Sequence, residues 1–181
     1  MPDLPGRTLF ENSSPAGGAF PPPPGWESWE MLMDEALAEA RKALEIDEVP
    51  VGAVVVTEKG EIVGRGHNSP ISSFNPVAHA ELAAIANAAE TVANYRLNKA
   101  FLVVTLEPCL MCAGAIVHSR LEGVVFGAYD HKTGALVSKI NALDLPFHNH
   151  KTMWMGGVKE KECGALLSSF FKNKRQGARG V

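Results

Sequence analysis

The sequence has few cysteines, no long apolar run and little excess of either charge. Three cysteines among 181 residues are too few, and odd in number, for the disulfide framework of a small secreted protein. No stretch approaches the roughly 20 consecutive apolar residues of a membrane-spanning helix. The net charge of −3 does not indicate a polyanionic partner for the chain as a whole. With 46% hydrophobic and 20% charged residues, the composition excludes a disordered or fibrous protein and favours one globular domain.

The first 25 residues differ in composition from the rest of the chain. They contain seven prolines and four glycines, and such a segment buries too little apolar surface to fold by itself. They also lack the basic start and following apolar stretch of a secretory signal. We expect residues 1–25 to form a flexible arm and residues 26–181 to form a single domain.

Helical and extended patterns alternate through that domain. Apolar periodicity predicts four helices, which begin near Glu27, His79, Pro108 and Lys159. Runs of β-forming residues predict five strands at Val51–Val56, Ile62–Gly66, Phe101–Thr105, Val124–Phe126 and Met153–Val158. Strands that alternate with helices in one short domain predict an α/β protein, in which helices cover a layered sheet.

Two short motifs carry residues with chemical potential, His79-Ala80-Glu81 and Pro108-Cys109-Leu110-Met111-Cys112. Each motif alone is ambiguous, because a histidine at a helix start is often a hydrogen-bonded surface group. A Cys-x-x-Cys pair is equally compatible with a redox centre, half of a zinc ribbon or two core cysteines. A ribbon needs a second cysteine pair and only Cys163 remains, whereas a redox role leaves His79 and Glu81 without a function.

Taken together, the two motifs predict a catalytic zinc site. Cys109 and Cys112 are three residues apart on one helix face, at a helix start that favours thiolates. With the imidazole of His79 they supply three ligands, which leaves one corner of a tetrahedral zinc open to water. Glu81 would accept a proton from that water and return it to a leaving group. A His-x-Glu motif followed by Pro-Cys-x-x-Cys marks the zinc-dependent nucleobase deaminases.

Further motifs extend the resemblance beyond the metal site. The landmarks are Val49–Val54, Gly66–Asn68, Pro76–Glu81, Thr105–Ala115, His118–Arg120, Val125–Ala128, Asp130, Lys132–Gly134, Asn149–His150 and Phe170–Phe171. On these residues the chain from about Glu27 to Arg175 resembles the bacterial tRNA-specific adenosine deaminases, of the cytidine-deaminase-like superfamily. The stretch from Thr105 to Gly134 is the most specific, because the metal motif is shared by the whole superfamily.

The resemblance implies a fold, a cofactor and a reaction. The implied fold is a three-layer α/β/α arrangement with a five-stranded mixed sheet, assembled as a cytoplasmic homodimer. One Zn²⁺ per subunit would be held by His79, Cys109 and Cys112, with Glu81 as the catalytic proton carrier. The reaction would be the hydrolytic deamination of adenosine to inosine at the wobble position of a tRNA anticodon, with an arginine tRNA as the expected substrate and its anticodon stem-loop as the partner.

The resemblance also implies a set of substrate contacts. They are Asn68, Ala80, Pro108, Asp130, Lys132, Asn149 and Phe171. Other interpretations stay open from the residues alone: Asn68 could cap or close a turn, Asp130 and Lys132 could be ordinary loop charges, and Phe171 could belong to the core.

Two alternative functions remain open at this point. A deaminase of free guanine, cytosine or nucleosides would carry the same two metal motifs. A zinc-stabilised binding module without catalysis would instead have a closed site of four ligands and no role for Glu81.

Overall fold

Five strands form one open sheet in the computed structural model, which describes residues 19–177. The strands are β1 (Gly52–Thr57), β2 (Ile62–His67), β3 (Ala100–Leu106), β4 (Gly123–Ala128) and β5 (Met153–Met155). Their order across the sheet is β2-β1-β3-β4-β5. The strand β1 runs antiparallel to both of its neighbours, β2 and β3, whereas β4 runs parallel to both of its neighbours, β3 and β5. The predicted five-stranded mixed sheet is therefore confirmed.

Four α-helices of the described residues cover the two faces of the sheet. They are α1 (Trp29–Glu45), α2 (Ala80–Thr91), α3 (Leu110–His118) and α4 (Glu160–Gly177). The helices α2 and α3 contribute to the core on one face, and α1 and α4 to the core on the other. This arrangement confirms the predicted three-layer α/β/α fold. Within residues 19–177, none of the helices combines the length and the apolarity needed to cross a lipid bilayer.

The interior strand β1 shows why the sheet is apolar on both faces. Successive side chains of a strand point to opposite faces. Ala53 and Val55 pack in the core with α2 and α3, whereas Val54 and Val56 pack in the core with α1. Since both faces are buried, the strand reads in the sequence as a continuous apolar run and not as an alternating pattern.

Small residues let α2 approach β2 closely. A Cβ atom at Gly66 would lie 2.5 Å from both the Ala80 carbonyl oxygen and the Ala84 nitrogen. A Cβ atom at Gly64 would lie 2.2 Å from the Ala84 carbonyl oxygen. Any side chain at these two positions would push against the backbone of the helix. The glycines therefore fix where α2 begins relative to the sheet.

The described end of the predicted arm lies against the domain. The Phe20 ring packs against Trp29 and Phe101, with centroids 5.4 and 5.7 Å away. The Trp29 indole N–H also donates a hydrogen bond to the Phe20 carbonyl at 2.7 Å. Residues 19–25 are therefore not the free arm that the composition predicts, because the Phe20 ring is packed against two aromatic side chains of the domain. Residues 1–18 lie outside the described residues, and their flexibility stays a prediction.

Several element boundaries differ by one to three residues from those predicted, and two of these differences have a visible cause in the backbone. The helix α3 begins at Leu110 and not at Pro108, because the Pro108 carbonyl accepts a hydrogen bond from the Ala135 N–H at 2.9 Å. The last strand ends at Met155 instead of Val158. There Gly157 adopts φ +85°, a left-handed conformation that interrupts the extended run.

We predict that Gly66→Ala lowers the free energy of unfolding by about 1–3 kcal/mol, because the added methyl group has no space beside α2. Urea-induced unfolding measures this difference. The matched control is Gly114→Ala within α3, where no atom from outside this helix lies within 4 Å of the added Cβ. The control should leave stability unchanged or raise it by roughly 0.5–1 kcal/mol, since alanine favours helix. Equal stabilities of the Gly66 variant and the unmodified protein would contradict the close approach.

Candidate active site

Two helix starts bring three metal-ligating side chains together. His79 is the N-cap of α2, and Cys109 is the N-cap of α3. Both residues have extended backbones, with ψ angles of 150° and 174°, and neither side chain caps its own helix. Cys112 is the third residue of α3 and is buried. The imidazole and the two thiols are therefore directed to one point between the helix starts.

The distances within this group fit a tetrahedral zinc ion. The Nδ1 atom of His79 lies 3.7 Å from the Cys109 Sγ and 3.5 Å from the Cys112 Sγ, and the two sulfurs are 3.6 Å apart. Ideal tetrahedral zinc geometry sets about 3.8 Å between two thiolate ligands and about 3.6 Å between a thiolate and an imidazole. Among residues 19–177 this is the one group of three or more His, Cys, Asp or Glu side chains placed to hold a metal. The protein therefore supplies three ligands, which is typical of a catalytic zinc site.

The carboxylate of Glu81 lies beside the ligands without joining them. Glu81 is the second residue of α2 and only 4% exposed. Burial raises the pKa of Glu81, and the neighbouring Cys109 raises it further. A buried carboxylate with a raised pKa binds a proton more readily than an exposed one. This is the property that a general acid–base residue needs.

The two sulfurs differ in their affinity for a proton. The pKa of Cys109 is lowered to about 4, because hydrogen bonding from Cys112 and His79 outweighs the effect of burial. The same contact with Cys109, together with burial, raises the pKa of Cys112. The hydrogen bond to Cys109 also raises the pKa of His79. Cys109 is thus the thiolate of the pair, and zinc binding would displace the proton from Cys112.

Comparisons with known proteins agree with this geometry. Residues 27–128 match the family described as the cytidine and deoxycytidylate deaminase zinc-binding region. The chain is 47% identical over 147 residues to the tRNA-specific adenosine deaminase of Haemophilus influenzae, covering 81% of this chain and 85% of that one. It is 48% identical over 147 residues to the enzyme of the same name from Bacillus subtilis, covering 81% and 91%. The chain belongs to the tRNA-specific adenosine deaminase family.

A solved structure of the same family agrees with the fold. It comes from biochemical and structural studies of A-to-I editing by tRNA:A34 deaminases at the wobble position of transfer RNA. The TM-score is 0.73 at 41% sequence identity, covering 76% of this chain and 99% of the other. The family membership that the motifs indicate is therefore confirmed.

Asn68 and Ala80 contact each other in this member of the tRNA-specific adenosine deaminase family. Asn68 is largely buried, and its side-chain oxygen accepts a hydrogen bond from the Ala80 N–H at 2.9 Å. Ala80 is the first residue of α2, so Asn68 satisfies one of the free N–H groups at that helix start. Asn68 thus caps the start of α2, twelve residues further along the chain, rather than the adjacent turn that the sequence suggested. A contact of either residue with a nucleotide stays a prediction.

Asp130, Lys132 and Pro108 lie in or beside one loop next to the metal ligands. The Asp130 carboxylate accepts hydrogen bonds from the Lys132 N–H at 2.8 Å and from the N–H and hydroxyl of Thr133. Burial raises the pKa of Asp130, but these hydrogen bonds outweigh it and the net change is downward. The loop pairs with the metal motif through a β-bridge between Cys109 and Gly134. The structure therefore brings these three predicted substrate contacts to the neighbourhood of Cys109.

Asn149 and Phe171 lie on exposed surfaces. Asn149 precedes β5, and its carbonyl accepts a hydrogen bond from the Arg120 guanidinium at 2.8 Å. Phe171 lies on α4, is 45% exposed and packs edge-on against Phe170 with centroids 5.4 Å apart. The core interpretation of Phe171 is therefore wrong. No described hydrogen bond or ring contact links either residue to the metal-ligating group, and their contacts with substrate stay predictions.

The sequence analysis does not single out a buried carboxylate that lies beside the metal motif. Glu107 is 2% exposed and directly precedes Pro108. Its two oxygens accept five hydrogen bonds, from the N–H groups of Asp130, Leu136, Val137 and Ser138 and from the Ser138 hydroxyl. The available signal was a charged residue at the end of an apolar strand, where its burial requires hydrogen-bond partners.

We predict one zinc ion per chain in the unmodified protein and a loss of zinc in Cys112→Ala, because two protein ligands are too few for stable binding. Inductively coupled plasma mass spectrometry of the purified proteins measures the ratio of metal to chain. The matched control is Cys163→Ala, which removes another buried thiol, on α4 and outside the metal-ligating group. The control should keep its zinc. A full complement of zinc in Cys112→Ala would contradict the assignment of that ligand.

Proposed function

We propose that this protein catalyses the hydrolytic deamination of adenosine to inosine at the wobble position of a tRNA anticodon, with an arginine tRNA as the expected substrate. The observation that carries the proposal is the group of three donor atoms at 3.5–3.7 Å with the buried Glu81 carboxylate beside it. Membership of a family named for this reaction supports the choice of substrate.

The proposed metal ligands are His79, Cys109 and Cys112, which would hold one zinc ion per chain. When bound, zinc supplies the Lewis acidity that makes water a nucleophile near neutral pH. The overall reaction consumes one water molecule and releases one ammonia, as the C6 amino group of adenine is replaced by an oxygen atom.

Glu81 is the proposed proton carrier of this reaction. Its carboxylate would accept the two protons of the attacking water one after the other, and deliver the first to the ring nitrogen and the second to the departing amino group. That group then leaves as neutral ammonia and not as a strongly basic amide anion. The burial of Glu81 supports this role, because a carboxylate shielded from bulk water exchanges its proton with the substrate and not with solvent.

The anticodon loop suits such a site because its bases are single-stranded. Little pairing energy is lost when the wobble adenosine is turned out of the loop into a pocket. We propose that residues close to the metal group line that pocket: Asn68, Ala80, Pro108, Asp130 and Lys132. Asn149 and Phe171 would contact the stem-loop outside the pocket, since both are exposed.

The remaining features of the proposal concern the organisation of the protein. We infer that residues 26–181 act as a single zinc-dependent deaminase domain, since both faces of one sheet complete its core. The cytoplasm is the proposed location, because a tRNA-modifying enzyme has to meet its substrate there.

A homodimer is the proposed assembly. Large apolar side chains are exposed on the loop before α2 and at the start of α3: Ile71 (70%), Phe74 (94%), Leu110 (59%) and Met111 (37%). The loop and the helix start converge where His79 meets Cys109, so these side chains lie at the same end of the molecule. Grouped apolar residues of this size favour a protein interface, and a second copy would remove them from water on both chains.

We predict that Glu81→Gln lowers the rate of inosine formation by about 10²–10⁴-fold, because the amide cannot carry a proton. The assay incubates the protein with an anticodon stem-loop and detects inosine by sequencing the reverse transcript. Zinc content should stay at one ion per chain, since Glu81 is not a ligand. The matched control is Glu39→Gln, which alters a similarly buried glutamate on α1.

Three outcomes of that assay would contradict the proposal. Unchanged inosine formation in Glu81→Gln would exclude Glu81 as the proton carrier. Absence of inosine formation by the zinc-loaded, unmodified protein, with no ammonia released from any substrate, would favour a zinc-binding module without catalysis. Ammonia release from free guanine, cytosine or nucleosides, without change in the stem-loop, would favour the alternative class of deaminase.

We predict a solution mass of twice that of one chain, as measured by light scattering coupled to size-exclusion chromatography. Phe74→Glu should shift the protein to the monomer, because the charge would have to be buried in the interface. The control Ile46→Glu changes an apolar residue of similar type next to α1, on the other side of the sheet, and should remain dimeric. A monomeric unmodified protein at micromolar concentration would contradict the proposed assembly.

A further inference from the structure

We propose that Glu107 is a positioning residue that holds the loop of residues 130–138 against the metal site and thereby sets the affinity for RNA. The inference rests on the proposed function, since the loop matters as part of a substrate pocket. Glu107 would act through the loop and not by touching the substrate, because its carboxylate is buried.

The carboxylate of Glu107 accepts hydrogen bonds from both ends of the loop of residues 130–138. Its Oε1 accepts N–H groups of three successive residues, Leu136, Val137 and Ser138, at 3.1, 2.8 and 2.9 Å. Its Oε2 accepts the N–H of Asp130 at 3.1 Å and the hydroxyl of Ser138. Hydrogen bonds to an ionised acceptor are stronger than those between neutral groups. Both ends of the loop are therefore tied to the same side chain.

Gly134 shows how closely the loop wraps this carboxylate. A Cβ atom there would lie 2.4 Å from both the carboxyl carbon and the Oε2 of Glu107. The same glycine pairs with Cys109 in a β-bridge. The loop is thus held from two sides, by the carboxylate of Glu107 and by the backbone of the residue that carries one of the metal-ligating thiols.

The outer side of the loop presents groups that suit an RNA ligand. Lys132 and Thr133 are exposed, and their N–H groups are fixed by the Asp130 carboxylate. The Asp130 N–H in turn is fixed by Glu107. A continuous chain of hydrogen bonds therefore runs from the buried carboxylate to the exposed lysine backbone. Loss of its inner member would free the loop without removing any group that faces the solvent.

The test is Glu107→Gln, which keeps the shape of the side chain. Either orientation of the amide leaves at least one backbone N–H facing another donor, so the loop should loosen. We expect the KM for an anticodon stem-loop to rise at least tenfold, with kcat within threefold of the unmodified protein and one zinc per chain. In a Glu81→Gln background, the Kd for the same stem-loop should rise by a similar factor.

The matched control is Glu39→Gln, since Glu39 is a buried glutamate with different partners. Its carboxylate pairs with Lys42, Arg65 and His67 and makes no described contact with residues 130–138. Its KM should change by less than threefold. An unchanged KM and Kd in Glu107→Gln would overturn the proposal, as would a loss of zinc or a fall in kcat alone, which would assign Glu107 to the metal site.

Two further measurements decide the matter if Glu107→Gln does not fold. Ser138→Ala removes only the hydroxyl donor and should raise the KM about threefold at constant kcat. In the unmodified protein, the amides of Leu136, Val137 and Ser138 should exchange with deuterium at least tenfold more slowly than those of residues 147–151. Rapid exchange, or a Ser138→Ala variant with unchanged KM, overturns the proposal.

The exchange measurement also separates the two proposals. If the unmodified protein forms no inosine in the stem-loop, the proposed function fails. Slow exchange of these amides would then still support the hydrogen bonds from residues 136–138 to Glu107.

Discussion

The structure depends on the convergence of two helix starts within one coordination sphere. His79 and Cys112 are 33 residues apart in the chain, yet the Nδ1 and Sγ atoms lie 3.5 Å apart. The helices α2 and α3 follow β2 and β3, which lie on either side of β1. Both helices pack on the same face of the sheet, so their starts reach the same end of the molecule. The glycines of β2 and the alanines of α2 set the distance between this strand and this helix, because their small side chains let the two backbones approach closely.

Three buried glutamates near the site illustrate how hydrogen bonding decides what a carboxylate does. Glu107 accepts five hydrogen bonds from one loop. Glu48 accepts the Ser72 N–H at 2.6 Å, within the loop that leads to His79. Glu81 has thiol and imidazole neighbours instead, and burial raises its pKa. The first two carboxylates therefore bind loops, whereas the third is suited to bind a proton.

Residues 151–181 carry seven basic and two acidic side chains, and three of the basic ones pair with carboxylates of the same chain. Lys174 pairs with Asp47, and Lys151 lies 3.6 Å from Asp144. Such pairs at the surface contribute little to stability, but they reduce the positive potential that would face a phosphate. The basic residues counted from the sequence therefore overstate the cationic surface of this region.

The sequence by itself determined the elements and the metal-ligating group. Apolar strands such as Val51–Val56 and the short spacings His79-x-Glu81 and Cys109-x-x-Cys112 are local patterns, and local patterns are set by backbone geometry. Only the tertiary structure decided the partners of Glu107, which lie 23–31 residues further along the chain. It also decided the later start of α3 and the packing of Phe20. These features depend on which backbone groups and rings meet after folding, and no spacing within one element encodes such a meeting.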